Sequence, residues 1–295
     1  MILVFGTVCL DRIRRVPHMP EPGGYVEITS EEFALGGEAA NTANALRVWG
    51  ADFVLAGNGL GDDPRLASAL RERGLPYVED QILQPGQTPV CDVYVADDGE
   101  RTMIGQGFSA MAATVDPRKI PFRPGEWFTA EPNMGEAARE AVSLAHAAGM
   151  KVYTMDFVRP DDPVFPGTIW QSSTDWAGVC GNPQANLTWL AEFVDRRQCF
   201  AVLSDGPYGF IAGSPEIAPR LHPPYPCPGI VDTTGAGDIF RAGMLFGLDR
   251  GWPIPRCLQF ASAAGCLACS SLGATAWVPS VEEIDALVDA VQAGD

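Results

Sequence analysis

Lysine is nearly missing from this chain. Of the 20 lysines and arginines only Lys119 and Lys151 are lysines, and neither follows a glycine-rich turn. A P-loop needs a lysine after its glycines to reach the β- and γ-phosphates, so that device is excluded. The three histidines, His18, His146 and His222, have no metal-ligand spacing and read as surface or core filler. No G-x-S-x-G turn is present, so serine-hydrolase chemistry starts poorly. A dinucleotide fingerprint also fails: Gly57, Gly59 and Gly61 run into Asp62, and the first strand offers only Gly6. That opposes a Rossmann oxidoreductase. No run of 18 apolar residues occurs, so no membrane span is expected. An excess of positive charge is lacking too. The net charge of −17 argues against nucleic acid or an anionic membrane as partner. The apolar start "MILVFGTV" has no basic leader, so a first strand and a cytoplasmic, reducing location are expected. Of the eight cysteines, Cys266 and Cys269 form a C-x-x-C inside the apolar run 258–272, with no second pair. They read as small core residues.

What is present is ample for a core: 295 residues, 46% of them apolar. Strands are expected at 2–8, 51–57, 126–131, 151–157, 177–182 and 200–206. Helices are expected at 39–50, 63–74, 135–148, 184–195, 239–249 and 256–271. A final helix carries Ile284, Leu287, Val288 and Val291 at i, i+3, i+4 and i+7. This alternation predicts an α/β fold, a doubly wound, mostly parallel sheet flanked by helices, with sites at the strand C-terminal ends. Two segments break the rhythm. Tyr25–Thr29 alternates like a half-exposed strand, and 89–105 reads as a hairpin with Asp97, Asp98 and Gly99 at its turn. Together 12–35 and 89–105 suggest a small β projection on a single unit spanning 1–295. The stretch from 206 to 230 reads as turn-rich.

The stretch "DTTGAGDIFRAG" (232–243) carries the chemistry. Gly235, Ala236 and Gly237 open a helix whose first N–H groups lack internal partners and sit at the positive end of the dipole. Small residues there let a phosphate approach the backbone. Asp238 would repel a resting phosphate, but it makes sense beside one as the acceptor of a substrate hydroxyl proton. The competing reading is a helix cap preceded by a plain turn.

Taken together, the segments resemble the ribokinase/PfkB-like carbohydrate kinase family. "DTTGAGDIFRAG" matches its most specific signature, and "GGEAANTANALRVWG" (36–50) its second. "VFGTVCLD" (4–11) is similar to its opening strand, and "GNGLGDD" (57–63) and "DDGERT" (97–102) to later turns. The order fits from about residue 2 to 292. The resemblance implies ATP-dependent phosphorylation of a primary hydroxyl of a sugar or sugar-like substrate. Asp238 would be the general base, and the N–H groups of Gly235, Ala236 and Gly237 the anion hole. Asp11, Gly36, Gly37, Asn41 and Glu131 would hold the substrate. Asn182, Ser204 and Gly206 would serve the nucleotide with Gly235 and Gly237. Residues 258–274 would lie beside the adenine. Asp232 and Thr234 resemble positions that help build a monovalent-cation (K⁺) site through backbone oxygens. Mg²⁺ is the expected divalent cofactor. The β projection would be a lid, through which some members dimerise.

Two departures matter. The family usually carries N-x-x-E, but "GNPQAN" (181–186) has Ala185 at the glutamate position, which weakens metal placement. Asn186 or a neighbouring acid is the candidate substitute. The D-x-N-x-R pattern keeps Asp156 but has Val158 and a displaced Arg159. The alternatives are a nucleoside kinase of the same family, with Tyr25, Phe33, Val90 and Met103 as candidate contacts at the far end of the substrate, and a catalytically weak ligand-binding or regulatory relative.

Overall fold

The computed structural model describes residues 1–78, 86–98, 101–227 and 229–293. Strand β1 (Ile2–Gly6) is apolar throughout because both of its faces are covered. Ile2 and Val4 enter one core layer, Leu3 and Phe5 the other. The chain continues through β2 (Cys9–Val16), β3 (Ser30–Gly36), α1 (Glu38–Val48), β4 (Phe53–Gly57), α2 (Pro64–Glu72), β5 (Tyr77–Val78), β6 (Val90–Ala96) and β7 (Arg101–Gln106). Next come β8 (Trp127–Ala130), α3 (Gly135–Ala147), β9 (Lys151–Met155), β10 (Ile169–Ser173), α4 (Pro183–Arg197), β11 (Phe200–Ser204), β12 (Phe210–Ser214) and β13 (Ile217–His222). Helices α5 (Ala236–Asp249), α6 (Ile254–Ala268) and α7 (Val281–Gln292) close it.

Among the described residues nine strands form one sheet, ordered β13-β12-β11-β10-β9-β8-β1-β4-β5. It is parallel from β5 to β11, and only β12 and β13 run antiparallel. The winding starts at β1, moves out to β4 and β5, then returns to β8 and proceeds the other way. The crevice of a doubly wound sheet opens where that direction reverses, here between β1 and β8. The layer of Ile2 and Val4 contains side chains of α1, α2, α5, α6 and α7, and the opposite layer those of α3 and α4.

A second sheet, ordered β3-β2-β6-β7, forms the projection. It differs from expectation at its edges. Residues 25–29 are not a strand, Tyr25 is 85% exposed, and the strand is β3 instead. The sheet also begins at Cys9, ahead of residue 12. The turn at Gly99 and Glu100 lies outside the described residues.

Three further expectations fail for physical reasons. Residues 177–182 are turns, because Gly178 and Gly181 hold φ of +74° and +68°, which a strand ladder does not accept. The strand at that point in the sheet is β10. The turn-rich stretch contains the β12–β13 hairpin. Cys266 is not a plain core thiol: it is disulfide-bonded to Cys227, while Cys269 is buried and free. No helix among the described residues is long and apolar enough to cross a membrane.

Candidate active site

The D-T-T-G-A-G-D stretch becomes a loop and a helix start. Gly235 is the N-cap of α5 with φ +78°. A Cβ there would lie 2.4 Å from the Cβ of Ala274, so conformation and space both demand glycine. Gly237 differs. A Cβ on it would meet only Gln171 Nε2, at 3.9 Å, and otherwise open space. The Ala236 N–H is used locally, donating to the Thr233 carbonyl at 3.3 Å. The N–H groups of Gly235, Gly237 and Asp238 find no backbone acceptor among the described residues. They remain open toward an anion, with the helix dipole behind them.

Asp238 is the third residue of α5, not its cap, and its side chain makes no capping bond. It reaches α1 instead: Asn41 Nδ2 donates to Asp238 Oδ2 at 2.7 Å. Asp238 Oδ1 is buried and accepts no hydrogen bond among the described residues. Arg241 Nη2 stands 3.5 Å from it. Burial pushes the Asp238 carboxyl up to about 7; Arg241 and the Asn41 hydrogen bond pull down, while Glu131 and Asp156 push up. A buried carboxyl poised near neutrality with one free oxygen suits a base.

The substrate-side residues sort themselves by geometry. Gly36 makes room for Asp11, since a Cβ there would sit 2.1 Å from the Asp11 carboxyl. Asp11 is 8% exposed, and burial raises its pKa to about 6. Gly37 has φ +95°, and a Cβ on it would strike the Thr7 carbonyl 2.3 Å away. Both glycines therefore act through protein packing: Gly36 admits the aspartate, and Gly37 lets α1 start against the end of β1. Asn41 keeps Oδ1 buried and unpartnered, and so does Thr7 its Oγ1. Glu131 is fully buried. Its carboxylate accepts the Thr7 N–H, and the Asn133 N–H at 2.8 Å, so it braces the switch-point crevice.

On the other side of the α5 N-terminus lies a cavity of about 510 Å³. Ser204, Gly206, Phe210, Ala236, Gly237 and Phe240 line it, with Cys227 and Cys266 farther along. Ser204 and Gly206 thus meet Gly237 where the sequence places them. Asn182 does not. It caps α4, its Oδ1 accepting the Ala185 N–H at 3.1 Å, and it is not among the cavity's lining residues. Asn186 does not replace the missing glutamate either, because its amide is spent on Val179: Val179 N donates to Oδ1 at 2.7 Å and Nδ2 donates to Val179 O at 2.8 Å.

Among the described residues no three His, Cys, Asp or Glu side chains gather as a metal site. With Ala185 in place of a carboxylate, the chain does not fit a protein-held Mg²⁺. The Asp232 carboxylate is spent on its loop, accepting Thr234 N at 2.9 Å, Thr234 Oγ1 at 2.6 Å and Gly273 N at 2.9 Å. The backbone oxygens of Asp232 and Thr234 accept no backbone hydrogen bond among the described residues, which fits a cation bound through carbonyls.

Several site residues escaped the sequence reading. Arg241, one turn after Asp238, is 0% exposed. Gln171 of β10 donates to the Gly237 carbonyl at 3.0 Å and accepts from the Tyr153 hydroxyl at 2.6 Å, so the sheet fixes the first turn of α5. Asp156, which the sequence marked only as part of the D-x-N-x-R pattern, follows β9 with φ +60° and accepts from Ser172 Oγ at 2.7 Å. Burial raises its pKa to about 6. Arg101 of β7 donates to Thr233 Oγ1, which joins the small sheet to the loop before α5.

Comparison with known proteins gives the family and the fold. The model of the pfkB family carbohydrate kinases matches residues 1–124 and 173–281. A protein of Dictyostelium discoideum described as an uncharacterized sugar kinase is 27% identical over 340 residues, covering 96% of each chain. The ATP-dependent ribose-1-phosphate kinase of Halopiger xanaduensis is 27% identical over 296 residues, 97% of each. The crystal structure of the ribokinase of Cryptococcus neoformans, in complex with ADP, superposes with a TM-score of 0.80 at 18% identity, covering 97% of this chain and 98% of that one. The chain therefore belongs to the pfkB family of carbohydrate kinases, and is a sugar or nucleoside kinase on the ribokinase fold.

Proposed function

We propose that the chain transfers the γ-phosphoryl group of ATP to a primary hydroxyl of a sugar or sugar-like substrate, with Asp238 as general base. The observation that carries this is the Oδ1 of Asp238, buried and accepting no hydrogen bond, on the same first turn as the open N–H groups of Gly235 and Gly237. Asn41 fixes the other oxygen, so the free one has a defined direction. A hydroxyl donating to Oδ1 would place its oxygen beside the helix N-terminus, where the transferring phosphoryl group carries its charge. The alcohol is far less acidic than the carboxyl, so the proton moves late, as the new O–P bond forms. Catalysis on this reading is positioning plus charge stabilisation.

The substrate would lie in the crevice between β1 and β8. Asp11, Asn41 and Thr7 offer directional acceptors and donors suited to a polyol. Glu131 would act by holding the crevice, not by touching the sugar. The nucleotide would occupy the cavity lined by Ser204, Gly206 and Phe240. The ATP in the name of the Halopiger relative and the ADP in the Cryptococcus complex support an adenine nucleotide as the phosphoryl donor. Mg²⁺ would arrive on the nucleotide's phosphates. A monovalent cation, where used, would sit against the backbone oxygens of Asp232 and Thr234 and steady the loop before Gly235. The small sheet would exclude water.

The test is Asp238→Asn, assayed by coupled phosphorylation over a panel of sugars and nucleosides. Nucleotide affinity should be retained and kcat should fall about 10²–10⁴-fold. Undiminished turnover would remove Asp238 from the role of base. The panel decides between a bare sugar and a nucleoside as acceptor.

A further inference from the structure

A fully buried arginine beside a catalytic carboxylate needs a reason, because an unpaired guanidinium in the interior is costly. Arg241 is held at three points. Its Nε donates to Thr42 Oγ1 at 2.9 Å, its Nη2 donates to the Glu38 carbonyl at 2.7 Å, and Nη2 lies 3.5 Å from Asp238 Oδ1. Thr42 Oγ1 in turn donates to the Glu38 carbonyl at 2.9 Å and lies 3.3 Å from the Asp238 carbonyl. The first turn of α5 is thus riveted to the first turn of α1, the turn that also supplies Asn41.

The surroundings are acidic. Glu38 faces this point from α1, Glu131 from the end of β8 and Asp156 from the end of β9; the uncharged Tyr153 stands behind them on β9. Burial drives the Glu38 carboxyl well above its usual range, with Glu131 and Asp238 adding to the rise. Among the described residues Arg241 is the cation common to this cluster: it opposes the rise at Glu38, Asp156 and Asp238 alike.

Resting on the reading of Asp238 as base, we infer that Arg241 is a positioning residue of the reaction: its guanidinium, tied to α1 and 3.5 Å from Oδ1, holds the Asp238 carboxyl aimed at the acceptor hydroxyl. Its Nε and Nη2 are spent on α1, and on this reading it acts through Asp238. The geometry separates two duties. Asn41 sets the direction of Oδ2 by a hydrogen bond, while Arg241 supplies a positive charge that opposes protonation of Oδ1 without a bond that would block it. At 3.5 Å the guanidinium attracts Oδ1 but leaves its lone pairs free.

The experiment is the pH dependence of kcat/KM for wild type, Arg241→Met, Arg241→Lys and Thr42→Val, with Asp238→Asn alongside. An adjacent arginine holds a carboxyl down by about 1–3 pH units. The acidic limb of the Arg241→Met profile should therefore move up by about 1–3 units, with activity recovering as pH is raised from 7 to 9. Arg241→Lys, which keeps the charge, should move the limb less than the methionine does. Thr42→Val, which removes the acceptor of Nε, covers the case in which Arg241→Met does not fold, and should move the limb in the same direction. A loss of equal size at every pH, with the limb unmoved in all folded variants, would overturn the inference and leave Arg241 a structural brace. The two readings are distinguishable: an active Asp238→Asn sinks the base assignment, whereas an inactive Asp238→Asn with an unmoved limb sinks only the role of Arg241.

Discussion

The two glycines of Gly235-Ala236-Gly237 are glycine for different reasons, and the substitution Gly237→Ala exposes the difference. In the protein alone the added methyl costs nothing, because its nearest neighbour would be Gln171 Nε2 at 3.9 Å, ordinary contact distance. Alanine is also the better helix residue, so the variant should be more stable by about 0.5–1 kcal/mol. For a chain of this size that is a rise of about 1–4 °C in Tm. The methyl would, however, stand in the open space at the start of α5, where the phosphoryl group should come close to the backbone. Holding that group back by about 1 Å costs about 10²-fold in rate. Differential scanning calorimetry and steady-state phosphoryl transfer should therefore move in opposite directions, with Tm up and kcat down. Full turnover in a stabilised Gly237→Ala would refute the anion hole, since no group would then be approaching this backbone.

Gly235→Ala is the control. Its φ of +78° disfavours alanine by about 1–2 kcal/mol. The overlap 2.4 Å from Ala274 Cβ adds about 1–3 kcal/mol more. Here stability and activity should fall together. Equal behaviour of the two variants would mean that the glycines serve the turn alone.

The parts of the fold that were legible are those whose local chemistry leaves little choice. β1 reads as a buried strand because both of its faces are covered, and Gly235 and Asp238 stand out because a left-handed N-cap and an acid at an anion site need particular residue types. What escaped depends on distant partners. "IWQSS" (169–173) hides a central strand because Gln171 and Ser172 look polar; their bonds to Gly237 and Asp156 are visible only once the sheet is assembled. "AGVCGN" looks apolar enough for a strand, yet Gly178 and Gly181 take positive φ and Asn186 ties the turn. The Cys227–Cys266 pair spans 39 residues, which no local pattern links. Arg241 did leave one signal: a lone charge inside the apolar run Ile239–Leu248 must be either exposed or paired, and it is paired.

Three more outcomes follow from the same contacts. Tyr153→Phe removes the hydroxyl that Gln171 Oε1 accepts at 2.6 Å, so a buried acceptor is left unmet. It should cost about 1–3 kcal/mol in urea denaturation and lower kcat, and no change in either would break the link from β9 to α5. Arg101→Ala cuts the contact of β7 with Thr233. Here kcat/KM for ATP should fall at least about tenfold, the size of one hydrogen bond to a charged group, with Tm nearly unchanged. An unaltered kcat/KM would detach this contact from nucleotide use. The last outcome concerns stability and pH. Burial raises Asp11 and Asp156 to about 6 from an ordinary value of 3.8. A carboxyl that binds its proton more tightly in the folded state stabilises the fold fully below pH 3.8, and that contribution is lost as pH rises through 6. Hydrogen bonds from Arg65, Arg12 and Arg118 lower the pKa values of Asp63, Asp92 and Asp116, and these work the other way, losing their contribution as the pH falls below the usual carboxylate range. The ligand-free protein should therefore show its highest Tm at mildly acid pH and lose stability from about pH 4 to 6, with Asp238, raised to about 7, extending the loss to about pH 7. A Tm that instead climbs across that window would mean that Asp11 and Asp156 are not held in the desolvated surroundings described for them, and with them the acidic crevice around Asp238 would have to be redrawn.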